Sequence, residues 1–295
     1  MGASIVLRGD EGAGKGVVVN ALAEVLGKQY FYHVHDAEHS IFGRFTPKNF
    51  EQCLLLFVDE AVWGGCRAAA GKLKKIVTED THDIENKYGA RFQIPSYMNV
   101  IFASNEDWVI PAGYKARRWC CLDVSNTRAG TGNAGYFDAI RAVPTSVLAA
   151  FLHRRDITTF NPRDVPSTNM LRDQKQRRFS LAVQWWEGCL SKGILTIGYN
   201  DNESYGWPEP TTPIQTQDLH DAYKRHYKDV SGRIEGVEMF IKELNKVCRL
   251  KDCRPRGKSG TRSHAKLIPS LEECRHQFCE KVNDPSWFSR NDELL

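Results

Sequence analysis

The sequence predicts an α/β fold: a three-layer domain on a parallel sheet with a phosphate-loop (P-loop) motif, followed by a mostly helical, winged-helix-like C-terminal domain. Three observations carry this reading. Apolar runs of strand length alternate with helical stretches over the first half, with few hairpin signals between them. The runs at 54–58 and 99–103 are apolar almost throughout, as strands buried on both faces of a parallel sheet are. The first run, Ser4-Ile5-Val6-Leu7, leads into a glycine-rich loop that opens a helix.

The elements follow in order. Positions 17–26 repeat apolar residues at three and four, as a packed helix does. Strands are expected at 30–34, 54–58, 99–103 and 119–124. A Pro/Thr/Asn-rich stretch at 158–169 precedes a helical region at 172–195 and a loop at 199–213. Helices at 218–228, 237–247 and 271–282 flank a basic stretch at 249–266. The expected division is an α/β core at 1–155, a helical segment and linker at 156–213, and the C-terminal domain at 214–295.

Composition sets the bounds. With 295 residues the chain is about twice the ordinary ~150-residue domain, so two domains are the starting expectation. At 41% hydrophobic and 26% charged it can bury a core and is not disordered as a whole. No apolar run approaches the ~18 residues of a membrane span. The first residues lack the basic start and apolar stretch of a secretory signal. Nine irregularly spaced cysteines read as reduced thiols in a cytosolic setting. The net charge of +4 is mild, so its placement matters more than its sum.

The loop Gly9-Asp10-Glu11-Gly12-Ala13-Gly14-Lys15-Gly16, followed by Val17, has the GxxxxGK pattern in a strand–loop–helix frame. Glycines let backbone N–H groups turn toward phosphate oxygens, and a helix N-terminus favours negative charge. Lys15 is placed to reach the β and γ phosphates. Gly16 stands where Ser or Thr ordinarily gives Mg²⁺ a hydroxyl; Mg²⁺ keeps several waters, and a water can fill that position. A glycine turn that binds nothing is the bland alternative. Asp59 and Glu60 end the apolar run at 54–58, at the strand edge where α/β sheets gather ligands. There Asp59 is a candidate Mg²⁺ ligand and Glu60 a group to polarise an attacking water. Asn105, ending the 99–103 strand, is either a turn residue or a reporter of the γ-phosphate. Arg117 and Arg118, just before the 119–124 strand, are either a solvated pair or an arginine offered to a neighbouring subunit's γ-phosphate.

Taken together, GDEGAGKG, LLLFVDEA, IENKYGARF, FASNED and AGYKARRW resemble the superfamily 3 helicases of DNA viruses and phages over about residues 4–125. The likeness is to the helicase module of phage primase-helicase and primase-polymerase proteins. It implies an AAA+-type, ring-forming, hexameric motor that uses ATP and Mg²⁺ to unwind DNA. It also implies single-stranded or forked DNA as partner, a location in the host-cell cytoplasm, and no membrane. Gly9, Gly12, Gly14 and Lys15 match that family's phosphate loop, Asp59 and Glu60 its acidic strand, and Asn105 its sensor. Arg117 or Arg118 matches its arginine finger. The sequence starts at the first strand, without the helical segment that precedes it in such proteins, which reads as a piece of a larger protein with a primase or polymerase part upstream.

Two basic elements are candidate nucleic-acid contacts. Residues 83–92 alternate about a glycine and read as a hairpin carrying Lys87, Tyr88 and Arg91. In the resembling helicases such a lysine grips phosphate in the ring channel; Tyr88 can stack on a base or sugar. An exposed tip with solvated charge is the alternative. The stretch 249–266, including Arg254, Arg256 and Lys258, has seven Lys/Arg against one Asp. It resembles the basic wing of a winged helix, or else is a flexible charged loop. His33, His35, Asp36, Glu38 and His39 are discounted as metal ligands. Cys248, Cys253, Cys274 and Cys279 depart from common zinc spacings, and Trp185 and Trp186 read as core. A rival to the helicase reading is a nucleotide-controlled DNA-binding initiator or loader that does not unwind. A small-molecule kinase fits less well, having no need of Glu60.

Overall fold

The computed structural model describes residues 3–35, 41, 48–60, 67–84, 92–130, 132–197, 206–228, 234–256 and 262–289. The chain divides into two units, Met1–Arg177 and Arg178–Leu295. The segment expected as a separate piece at 156–213 is therefore shared between them.

The first unit is built on a parallel sheet of five strands: β1 (Ser4–Arg8), β2 (Phe31–Val34), β3 (Leu55–Val58), β6 (Asn99–Ser104) and β7 (Trp119–Asp123). Their order is β2-β3-β6-β1-β7. All four residues of β3 are buried, which explains the unbroken apolar run in the sequence. The pleat sends Leu56 and Val58 to one face with Val100 and Phe102 of β6. It sends Leu55 and Phe57 to the other with Ile101 and Ala103. Helix α1 (Lys15–Leu26) covers the second face through Val19, Ala23 and Leu22. Helix α2 (Arg67–Thr78) covers the first through Leu73, Ile76 and Val77. This is the expected three-layer arrangement.

Between α2 and β6 the strands β4 (Thr81–Ile84) and β5 (Phe92–Pro95) pair antiparallel, with Thr81 opposite Pro95. The base of the expected hairpin is thus formed; its tip lies outside the described residues.

After β7 come α3 (Ala134–Arg141) and α4 (Thr145–His153), both packed on α1, and α5 (Asn169–Gln176). Thr168 caps α5 by accepting from the Leu171 N–H at 3.1 Å. Met170 and Leu171 of α5 join the core of the first unit.

In the second unit, α6 (Leu181–Lys192) leads through β8 (Ile214–Gln215) to α7 (Thr216–His226) and α8 (Val237–Leu244). Then follow β9 (Lys251–Cys253), β10 (Ala265–Leu267) and α9 (Leu271–Val282). The three strands form an antiparallel sheet in the order β8-β10-β9. Ser270 caps helix α9, its hydroxyl accepting from the Glu273 N–H at 3.2 Å. Trp185 and Trp186 are buried among Tyr223, Phe240 and Trp207, so they are core, as their helical context implies. Among the described residues no helix is long and apolar enough to cross a membrane.

One buried amide fixes the loop after β6. Gln174 of α5 is fully buried, and its Oε1 accepts from the N–H groups of Val109 at 2.8 Å and Ile110 at 3.1 Å. Its Nε2 donates to the Asp107 carbonyl at 2.6 Å. Gln174→Leu keeps the volume but orphans two donors and an acceptor, at about 1–3 kcal/mol for each group left buried. The urea midpoint of the first unit should fall with little change in slope; an unchanged midpoint would show that the loop does not depend on this residue.

Candidate functional site

In a parallel sheet all strands end at the same edge, and here that edge carries a cleft of about 830 Å³. Its walls include residues 11–17, Asp59, Glu60, Ser104 and Asn105. The strand order explains the gathering: β6 lies between β1 and β3, so the glycine loop, Asn105 and the acidic pair leave three neighbouring strands. At about 4.8 Å per strand step, the whole set spans about 10 Å.

The glycine loop has no side-chain cap for α1; the N-cap is Gly14, with φ of +90°. A Cβ at Gly14 would stand 2.5 Å from Cε1 of Phe137, so both conformation and contact demand glycine. At Gly16 a Cβ would meet nothing within 4 Å. The Lys15 ammonium lies back over the loop, donating to the carbonyls of Gly9 at 2.6 Å and Asp10 at 2.9 Å. The Asp10 N–H donates to Asn126 Oδ1 at 3.0 Å, tying the loop to the segment after β7.

Glu60 has φ of +52°, a left-handed conformation that costs a non-glycine residue about 1–2 kcal/mol. Its N–H donates to Asp59 Oδ1 at 3.1 Å. The other carboxylate oxygen of Asp59 faces His33 Nε2 at 3.7 Å. Burial, with the neighbouring His35, lowers the His33 pKa from its ordinary value against the raising effect of Asp59.

The strand ends are tied by ion pairs. Arg8 donates to both oxygens of Asp123, at 2.7 and 3.3 Å, and to Asp173 at 2.5 Å. Arg177 pairs with Asp107 at 3.2 Å and with Asp173 at 3.2 Å.

Other expected site residues fall elsewhere. Arg117 and Arg118 precede β7, and the Arg118 carbonyl accepts from the Ser4 N–H at 2.8 Å. They therefore stand at the edge where β1 begins, about 16 Å of strand from the glycine loop. Arg254 and Arg256 lie exposed just after β9 in the second unit, and Arg256 bridges to Arg262. Lys87, Tyr88, Arg91 and Lys258 lie outside the described residues. Cys248 and Cys274 touch at 3.4 Å between sulfurs.

The sequence reading missed one wall of the cleft altogether: Gly130, Gly132, Ala134, Phe137 and Arg141, with Asn20 of α1. Gly130 and Gly132 were the available signal, as a glycine pair just after a sheet strand.

A family model described as a family of unknown function (DUF5906) matches residues 7–118. No curated protein matches the chain. The fold is shared with solved structures of the NrS-1 C-terminal region. The apo structure of its residues 305–718 is 19% identical with a TM-score of 0.66, covering 90% of this chain and 67% of that one. An A-form apo structure is 18% identical with a TM-score of 0.63, covering 90% and 66%. The likeness is one of fold. This chain spans about two thirds of those chains.

Gly14→Ala should destabilise the first unit, because a side chain at φ +90° adds about 1–2 kcal/mol of backbone strain to the Phe137 clash. Gly16→Ser has room and should keep the fold. Melting curves of both variants check the pair; a Gly16→Ser variant that fails to fold would overturn this account of the loop.

Proposed function

We propose that the first unit is an ATP-hydrolysing motor domain acting on DNA in replication, of superfamily 3 helicase type. The observation that carries the reading is the convergence of glycine loop, acidic pair and Asn105 on one cleft at the C-terminal edge of the sheet.

The residues present fit a nucleoside triphosphate with Mg²⁺. The N-terminus of α1 and Lys15 supply the positive end for the phosphates. Asp59, with one oxygen fixed by the Glu60 N–H, is the oxygen ligand for Mg²⁺, which would neutralise phosphate charge. Glu60 takes a proton from the attacking water, and its strained backbone is the kind of cost that persists at working sites. Asn105, between the loop and the acids, orients water or γ-phosphate. Arg117 and Arg118 stand away from their own cleft, a placement suited to a neighbouring copy's nucleotide in a ring.

The second unit runs helix, strand, helix, helix, strand, strand from α6 to β10, the order of a winged helix. In that reading Arg254 and Arg256, exposed after β9, belong to the wing and contact DNA phosphates.

Lys15→Ala should abolish ATP binding, and Glu60→Gln should bind ATP without turning it over. ATPase stimulated by single-stranded DNA, together with strand displacement, separates a helicase from a loader that only switches shape. Near-normal turnover in Glu60→Gln would sink the role given to Glu60. Replacing Arg254 and Arg256 together by Ala should weaken single-strand binding and flatten the log affinity against log salt slope by about 0.7 per arginine. An unchanged slope would remove the wing from the DNA path.

A further inference from the structure

The cleft has two unlike walls, and the sheet order sets them on opposite sides of the glycine loop. Asp59, Glu60, Ser104 and Asn105 come from β3 and β6, on one side of β1. Gly130, Gly132, Ala134 and Phe137 come from the chain after β7, on the other. The first wall is polar and acidic. The second is small and apolar, and its cation, Arg141, is paired with Asp138 at 2.9 Å.

A triphosphate in the glycine loop with its γ end toward Glu60 and Asn105 must send its nucleoside toward the second wall. That wall has room. Gly130 and Gly132 have φ of +90° and +98°, and a Cβ at either would meet nothing within 4 Å. Phe137 is the one aromatic residue among the described residues lining the cleft. One ring edge packs on Gly14 while the side chain stays half-buried, leaving surface for a ligand.

We infer that Gly130, Gly132, Ala134 and Phe137 form the nucleoside half of the site, with the base of a bound nucleotide lying on the Phe137 ring. This rests on the triphosphate reading above and adds to it the residue that holds the base. A phenyl ring recognises a base by its face, so recognition there is by stacking.

Inorganic tripolyphosphate, which carries the phosphates without the nucleoside, separates the two ideas. Binding of ATP and of tripolyphosphate, each with Mg²⁺, is measured by calorimetry on the full chain and on Phe137→Leu and Phe137→Tyr. Leu keeps apolar bulk against Gly14 but removes the flat face; Tyr keeps the face. Phe137→Leu should weaken ATP by about 5- to 100-fold, the range a base–aromatic stack supports, and leave tripolyphosphate within about twofold. Phe137→Tyr should match the parent for both. Equal losses for both ligands would mean that the ring only shapes the loop, and an undiminished ATP affinity would mean that the base lies elsewhere; either overturns the inference while leaving the triphosphate reading intact. A parent chain that binds neither ligand overturns that reading itself, and this one with it.

Discussion

The position of β6 between β1 and β3 governs both the stability of the first unit and its chemistry. A parallel strand in the middle of a sheet must be apolar on both faces, and β6 meets this with Val100 and Phe102 on one side and Ile101 and Ala103 on the other. The same placement brings Asn105 out between the glycine loop and the acidic pair. Were β6 at the sheet edge, Asn105 would be a strand or more further from one of them. Glu60 holds its left-handed backbone at the end of a strand, Leu55–Val58, that is buried throughout. Packing and site alignment are here one constraint.

Polar ties complete what the core begins. The Arg8, Asp123, Asp173, Arg177 and Asp107 set joins the ends of β1 and β7, the loop after β6, and α5. Most of these groups are partly exposed, so each pair contributes about 0–1 kcal/mol. Their effect is positional: they hold strand ends in register with one another. The buried amide of Gln174 is of another kind, since its partners have no water to turn to if it is lost.

The strands were legible because burial on both faces writes an apolar run, and the helix expected at 271–282 is α9. The glycine loop and acidic pair were legible as a motif whose spacing needs no knowledge of packing. The cleft wall after β7 was not, since Gly, Ala and one Phe at irregular spacing form no pattern until the chain folds. Nor was the boundary between units: the Pro/Thr/Asn-rich stretch at 158–169 reads as a linker, yet Met170, Leu171 and Gln174 beyond it return to the first core. Arg117 and Arg118 are a subtler case. Twelve residues from Asn105 reads as near, but a parallel strand is entered from the opposite edge, so residues just before β7 stand far from residues just after β6.

The absence of a hydroxyl at position 16 gives the surroundings of Asp59 more weight. One of its oxygens is spent on the Glu60 N–H, which fixes the plane of the carboxylate, and the other faces His33. A protonated imidazole at 3.7 Å would compete with a cation for that oxygen. Burial and the adjacent His35 act against protonation, and Asp59 acts for it. The strand order places Asp59 on one side of the glycine loop and the small apolar wall after β7 on the other. For the nucleotide proposed above, only one direction of entry would keep the base away from the carboxylates, and sheet topology would set that direction before any single side chain is considered.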